Sequence, residues 1–559
     1  MSLKMRALST GSGLAHSIKR NRSSLISTVI RVVYPFRCPA LSTMSREDDP
    51  KLKEMMDFID NLKNYEKLGV PKGAGTDSED GFDLGRMRRL MELLGNPHFT
   101  FKAVHIAGTK GKGSTSAFLS SILRAEGYSV GCYTSPHIKT IRERITLGRH
   151  GEPVSAEVLS HHFQRVRRDL ERAVELENGR LSHFEIFTAI AFSLFSQENI
   201  EIAVVEAGLG GARDATNVIS ASNLAASIIT TIGEEHLDAL GGSLESIALS
   251  KAGIVKGGHP LVLGGPFLPH IERILRDKAE CVSSPVVSAS DGGNKSSLKG
   301  FHQICGIPHQ VCDVLLQIDR DLLLSIALFD VRLRMLGSHQ LRNAATAVCA
   351  ALCLRNKGWR LSDASIHAGL ESAVLPGRTQ LLTTKETERL GLPPHINIML
   401  DGAHTKESAR SLAETVKLLF PKGRLILVVA MASDKDHLGF ARELISVNCL
   451  EAVFFTEISI AGDKSRTTSA SYLKEVWMKA SQEMGINVLD HGDAECNFSK
   501  GQSTHSGKAR EVILAEKPLM AAVRVGSQNL NESEGNPSRV VLVTGSLHIV
   551  SALLGYLPE

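Results

Sequence analysis

The stretch HIAGTKGKGSTSAF (105–118) sets Gly108, Gly111 and Gly113 among two lysines and a run of hydroxyl residues. Glycines let backbone N–H groups come close to a phosphate, a helix N-terminus adds partial positive charge, and Lys112 supplies a full one. The common phosphate loop reads G-x-x-x-x-G-K-[ST], with the hydroxyl directly after the lysine. Here Gly113 intervenes, so Ser114 and Thr115 stand one place further on and need not act as they do in that loop. An apolar run precedes the stretch, and Ala117, Phe118, Ile122 and Leu123 supply a helical core face after it. That strand–loop–helix context favours phosphate binding over a bare glycine-rich turn.

The elements around this loop read as α/β. Short β-branched apolar runs at 101–108, 129–135, 202–208, 225–233 and 260–265 alternate with helical stretches at 114–126, 155–178 and 183–198. This is the pattern of a mostly parallel sheet. Glu206 closes the run IAVVE, at the strand end where open sheets of this kind bind ligands. Residues 288–300 are rich in Ser, Gly and Asn and read as a loop, and helical periodicity returns at 337–358. After LPGR (375–378) a second α/β unit opens, with strands expected at 396–404, 423–432, 450–458 and 539–550. The expected division is 1–48 as a leader, 49–375 as a domain built around the phosphate loop and 376–559 as a smaller, Rossmann-like domain. The polar segment 497–538 is expected to loop out of the second unit as an insertion.

Composition excludes several classes. The net charge of +4 over 559 residues gives no support to a nucleic-acid binder. Nine cysteines without a CxxC pair argue against a disulfide scaffold or zinc ribbon. No apolar run reaches the roughly 18 residues that cross a membrane. Before Glu47 there is no acidic residue, while arginines and lysines are spread among serines. That is the composition of an organelle transit peptide, with the mitochondrial matrix preferred and plastid or cytosol as alternatives. His161 and His162 read as surface residues on a charged helix.

The spelling G-T-x-G-K-G-S resembles the ATP-dependent Mur ligase superfamily, and its members that add glutamate to folates match best. YTSPHIKTIRERI (133–145), VVEAGLGGARDATN (204–217), TTIGEEHLDALGGSLESIALSKAGIVK (230–256), GSHQLRNAA (337–345), LPGRTQ (375–380) and LDGAHT (400–405) follow in that family's order. The resemblance covers the chain from about 49 to 558 and is closest to plant-type mitochondrial members. It implies ATP, Mg²⁺, L-glutamate and a pteroate or folate as ligands, with a monovalent cation and a carbamylated Lys251 as further candidates. A monomer is expected.

The same resemblance assigns roles. Gly108, Thr109, Lys110, Gly111, Lys112, Gly113, Ser114 and Thr115 would cradle the nucleotide, with Asn343 against adenine. Arg378 and Asp401 would reach the triphosphate and ribose from the second domain. Ser135, Glu206 and His236 would hold Mg²⁺, although histidine is unusual for so hard an ion. Lys112, Lys251 and His404 would act in catalysis. Phe184 and Asp214 would face the pterin, with Arg142 or Arg144 closing over it. Two activities share this scaffold: dihydrofolate synthase and folylpolyglutamate synthase. HFEIFTAIAF (183–192), SKAGIVK (250–256) and ASDKD (432–436) are similar to the first, whereas LDGAHTKES (400–408) is similar to eukaryotic forms of the second. The reading favours dihydrofolate synthase. GLGGAR (208–213) has Arg213 where a dinucleotide fingerprint needs glycine, so a NAD enzyme is disfavoured. A non-catalytic nucleotide-binding module is the rival of a different class. It would keep Lys112 but need not keep Glu206, Lys251 and Asp401.

Overall fold

The computed structural model describes residues 49–76, 82–304, 307–394, 396–460, 464–490, 511–527 and 539–557. The expected leader at 1–48 lies outside the described residues, as do 497–510 and 528–538 of the expected insertion.

Among the described residues the strands form three sheets. The first contains β1 (Lys102–Ala107), β2 (Val130–Tyr133), β3 (Ile145–Leu147), β4 (Glu152–Pro153), β5 (Ile202–Glu206), β6 (Leu224–Ile229), β7 (Leu261–Leu263) and β8 (Val286–Ser288). Their order is β4-β3-β2-β5-β1-β6-β7-β8. All neighbours pair in parallel except β2–β3 and β3–β4, the two edge pairs at one side. The inner strands are apolar along their whole length, as burial on both faces demands; every residue of β5 and β6 is buried. The helix Lys112–Glu126 lies on this sheet and meets helix Asp363–Ser372 very closely. A Cβ at Gly369 would fall 2.3 Å from the Ile122 Cα, so only glycine permits that crossing.

A three-stranded antiparallel sheet follows, β9 (Ser297–Ile304), β10 (Ile307–Ile318) and β11 (Leu324–Leu333), in the order β11-β10-β9. It corrects the loop reading of 288–300, whose last residues pair as β9. β9 is largely exposed and polar, so it lacks the apolar run by which a strand is recognised.

The last sheet lies wholly after LPGR. It comprises β12 (Gln380–Leu381), β13 (Asn397–Leu400), β14 (Arg424–Val429), β15 (Leu450–Phe455), β16 (Asn487–Asp490), β17 (Glu511–Glu516) and β18 (Arg539–Thr544). The order is β12-β13-β18-β14-β15-β17-β16, parallel except at β12. The position of β17 corrects the reading of 497–538 as one looped-out insertion. Residues 511–516 pair with both β15 and β16, and Leu519–Ser527 is helical. Val512, Leu514 and Ala515 are fully buried there, and their short apolar run was masked by the polar composition on either side. His162 is a further correction. It is 2% exposed, with Nδ1 2.8 Å from the Gln197 Oε1, because it faces the neighbouring helix His183–Gln197 while His161 faces outward.

Candidate active site

Strand β1 delivers the glycine loop, and Gly111, at φ 87°, starts the helix Lys112–Glu126. Two glycines here are required by close approach. A Cβ at Gly108 would fall 1.9 Å from the Thr230 Oγ1, and one at Gly111 would fall 2.5 Å from the Asn343 Oδ1. Asn343 therefore lies over the loop, steadied by a bond from its Nδ2 to the Gln340 Oε1 at 3.0 Å. The first-turn amides at Lys112, Gly113 and Ser114 have no partner within their own helix, the arrangement that binds anions.

Thr109 and Lys110 face the other way. The Thr109 amide donates to the Thr231 O at 2.8 Å, and the Lys110 amide to the Thr231 Oγ1 at 2.9 Å. The Thr230 hydroxyl in turn donates to the Lys110 O at 2.6 Å. These bonds lock the loop to the segment after β6, so the backbone of 109–110 supports the cradle from behind. Ser114 and Thr115 are buried in the first turn, and the Thr115 Oγ1 has no hydrogen-bond partner among the described residues.

Charge is concentrated under this loop. The Lys112 Nζ donates to the Gly108 O at 3.1 Å and stands 3.7 Å from the Glu206 Oε1. The Lys251 Nζ donates to the same Gly108 O at 2.9 Å. Two ammonium groups thus share one carbonyl. Burial, and then the charge of Lys112, bring the Lys251 amine down to about 7. Burial likewise raises the Glu206 carboxyl, against the pull of Lys112.

Ser135 reaches this group through its amide, 3.3 Å from the Glu206 Oε2. His236, at φ 56°, leads the turn Leu237–Ala239 and is exposed. Among the described residues no three His, Cys, Asp or Glu side chains cluster as a ready-made metal site. Glu206 and Ser135 oxygens suit Mg²⁺, an ion that usually keeps waters and phosphate oxygens as most of its ligands. The donor set fits that ion in this shared mode and not as a cage made of protein alone.

The second lobe contributes Arg378, Asp401 and His404. Asp401 is 8% exposed and fully engaged: its Oδ2 accepts from the Thr379 N at 2.7 Å and the Thr379 Oγ1 at 3.0 Å, and its Oδ1 from the Ala403 N at 2.8 Å. Arg378 is half-buried and close enough to favour ionised Glu206 and to disfavour charge on Lys110. His404 places its Nδ1 2.8 Å from the Gly402 O, so that nitrogen carries a proton, and its Nε2 3.6 Å from the Glu235 Oε1. The same Glu235 oxygen accepts from the Lys110 Nζ at 2.9 Å. Burial opposes ionisation of Glu235, but His404 and Lys110 outweigh it and hold the carboxyl far below its usual range. Glu235 is one site residue that sequence reading missed. Its signal was an acidic residue directly before His236.

Beside the β5 end lies a second group. A Cβ at Gly208 would fall 2.6 Å from the Phe184 Cζ, so the ring rests on that glycine. Asp214 is buried and accepts from the Leu209 and Thr216 amides at 2.8 and 3.0 Å, which shapes the loop. Arg144 is buried, donating to the Glu66 Oε2 at 2.6 Å and to the His137 Nδ1 at 2.9 Å. Arg142 donates to the Val154 O at 3.3 Å. Glu66 was not foreseen, because it lies 78 residues from its partner.

Known proteins share this design. Residues 106–351 match the Mur ligase middle domain, and residues 377–494 match the Mur ligase glutamate ligase domain. Fold and matched domains together define an ATP-dependent ligase. A Bacillus subtilis dihydrofolate synthase/folylpolyglutamate synthase is 34% identical over 369 residues, 65% of this chain and 79% of that one. The chain belongs to the dihydrofolate synthase/folylpolyglutamate synthase family. The human mitochondrial folylpolyglutamate synthase is 29% identical over 459 residues, 74% of this chain and 70% of that protein. A bifunctional folylpolyglutamate synthase/dihydrofolate synthase, solved with Mn, AMPPNP and L-glutamate bound, superposes with a TM-score of 0.64 at 26% identity. The alignment covers 92% of this chain and 98% of that one.

Proposed function

We propose that this chain joins L-glutamate to the carboxylate of 7,8-dihydropteroate, giving dihydrofolate, ADP and phosphate. The observation that carries the reading is the meeting of two lobes. Lys112, Glu206 and Lys251 lie under the phosphate loop, and the Lys110–Glu235–His404 chain ties them to the lobe that holds Arg378 and Asp401.

A carboxylate does not condense with an amine in water. The pteroate carboxylate first takes the γ-phosphoryl group of ATP, giving an acyl phosphate and ADP. The glutamate amine then attacks the acyl carbon, phosphate leaves, and the nitrogen loses a proton. The first-turn amides and Lys112 neutralise the phosphoryl group as charge builds on it. Glu206, Ser135 and His236 would hold Mg²⁺, which would supply further charge neutralisation there. Arg378 brings positive charge from the opposite side, His404 adds an imidazole that burial keeps neutral, and closure of the lobes keeps water from the acyl phosphate.

Lys251 is the candidate for carbamylation. Its neutral amine would form an N–C bond to CO₂ and release a proton, replacing a cation with an anion beside Lys112. An amine near 7 is substantially neutral at physiological pH, which that chemistry requires.

The pterin would lie against Phe184, near Asp214 and Arg144. Dihydropteroate is preferred as acceptor on the similarity of the segments 183–192, 250–256 and 432–436 to the synthase form. The segment 400–408 favours a second reading, extension of tetrahydrofolate by folylpolyglutamate synthase. Purified protein assayed with each acceptor separates the two: glutamate should be joined to dihydropteroate, and turnover of tetrahydrofolate alone would reverse the assignment. The acid-free segment before Glu47 supports action in the mitochondrial matrix.

A further inference from the structure

At the N-terminal edge of β1, the end away from the phosphate loop, lies a cavity of about 280 Å³. Its walls come from separate elements: Arg88 on the helix Leu84–Leu93, His98 in the turn Pro97–Phe99, Asn217 ahead of β6 and Lys256 ahead of β7. The Lys256 Nζ donates to the Asn217 Oδ1 at 2.8 Å. Among the described residues neither Lys256 nor Arg88 forms an ion pair, and Glu92, also in the wall, forms none with them.

The surrounding edge repeats the pattern. Lys102 donates to the Ser222 O at 2.8 Å and Lys357 to the Gly258 O at 3.0 Å, so these ammonium groups too are met by uncharged oxygens. Cations on a folded surface ordinarily find carboxylates or open water. Here Arg88, open to water, and the half-buried Lys256 converge on one concavity, beside a histidine that is 5% exposed and whose Nδ1 has no partner among the described residues.

We propose that this cavity is a binding site for a compact dianion, a phosphate or phosphate-monoester group held between Arg88 and Lys256. Glu92 in the same wall is exposed and pairs with neither cation, so both remain for the ligand, and a dianion answers them more fully than a singly charged carboxylate. Guanidinium and ammonium together give the bidentate and point contacts that phosphate oxygens accept, the His98 imidazole adds a neutral polar group, and Asn217, its amide held by the Ala212 and Gly253 carbonyls, positions Lys256. Burial, and then Arg88, lower the Lys256 amine to about 8, a cost that a bound anion would relieve. The site uses no residue of the ligase centre, so either assignment can fail alone.

Equilibrium dialysis of inorganic phosphate against the full chain tests it, in a Lys112→Ala background that weakens the phosphate loop. One saturable phosphate per chain is expected, weakened at least tenfold by Arg88→Gln and by Lys256→Met. Absence of saturable binding, or equal affinity after Arg88→Gln, overturns the proposal. Arg88 is exposed, so that variant decides the matter even where Lys256→Met fails to fold. Competition with glycerol 3-phosphate distinguishes the sources. Displacement assigns the site to phosphate monoesters and lack of it to free phosphate, and the dianion site stands in both cases.

Discussion

In the lobe built on the first sheet, Lys112 and Lys251 both donate to the Gly108 carbonyl, at 3.1 and 2.9 Å, and the carboxylate beside Lys112 is the buried Glu206, whose ionisation burial disfavours. In the other lobe, Asp401 is met by three donors from Thr379 and Ala403. One side holds like charges together, as a site must that waits for a polyanion. The other is already satisfied and offers a fixed shape. Preorganised charge is effective in catalysis because its cost is met during folding and not at the moment of reaction. That cost sits almost wholly in the phosphate-loop lobe.

The largest effect should follow from Lys112→Ala. Loss of a charged donor to the moving phosphoryl group is expected to lower kcat/KM by about 10³-fold, at the upper end for a single such donor. Thermal unfolding should change little, because the substitution removes both a neighbour that repels Lys251 and the cation beside Glu206, two effects of opposite sign. A variant that stays active, or one that melts early, would erase the difference between the lobes.

Lys251→Met is next, with an expected loss of about 10²-fold in kcat, the size of a single electrostatic or proton-transfer contribution. Its pH signature is distinct. The folded chain holds the amine at about 7, below its ordinary 10.5, so between those values the unfolded chain binds the extra proton. Wild-type stability should therefore climb as pH rises from about 7 toward 10.5, and the methionine variant should lack that part of the climb. Turnover should also rise with pH through about 7 and fall in buffer stripped of CO₂. Indifference to CO₂ would leave Lys251 an uncarbamylated amine.

Legibility in the sequence divided by kind of residue and not by lobe. The phosphate loop, Glu206 and LDGAH announce themselves because each places chemistry at the end of an apolar strand, and a continuous apolar run survives in sequence. Glu235, Glu66 and Thr379 do not. Their roles depend on partners brought near by the sheets: Glu235 with Lys110 and His404, Glu66 with Arg144, Thr379 with Asp401. Strand β17 hid for a related reason, its three buried apolar residues being flanked by polar segments. Thr109 and Lys110 were legible as part of the loop, but not the direction they face, which is decided by Thr230 and Thr231 more than a hundred residues on.

The smallest expected effect, Asp401→Asn, probes the satisfied side of the comparison. Asparagine keeps one carbonyl oxygen and replaces the other by an NH₂ donor. Whichever way it turns, that NH₂ meets a donor already in place, either the Thr379 amide or the Ala403 amide. A buried amide left without an acceptor costs about 1–3 kcal/mol. For a domain of this size that lowers the unfolding midpoint by roughly 2–4 °C per kcal/mol. Activity should fall only about tenfold, through a raised KM for ATP, since the loop around Asp401 loosens while Lys112 and Lys251 remain. Thr379→Ser retains both donors and should behave as wild type in both measurements. Should Asp401→Asn instead abolish turnover at unchanged stability, the carboxylate would be acting on substrate directly, and the second lobe would be as charge-dependent as the first.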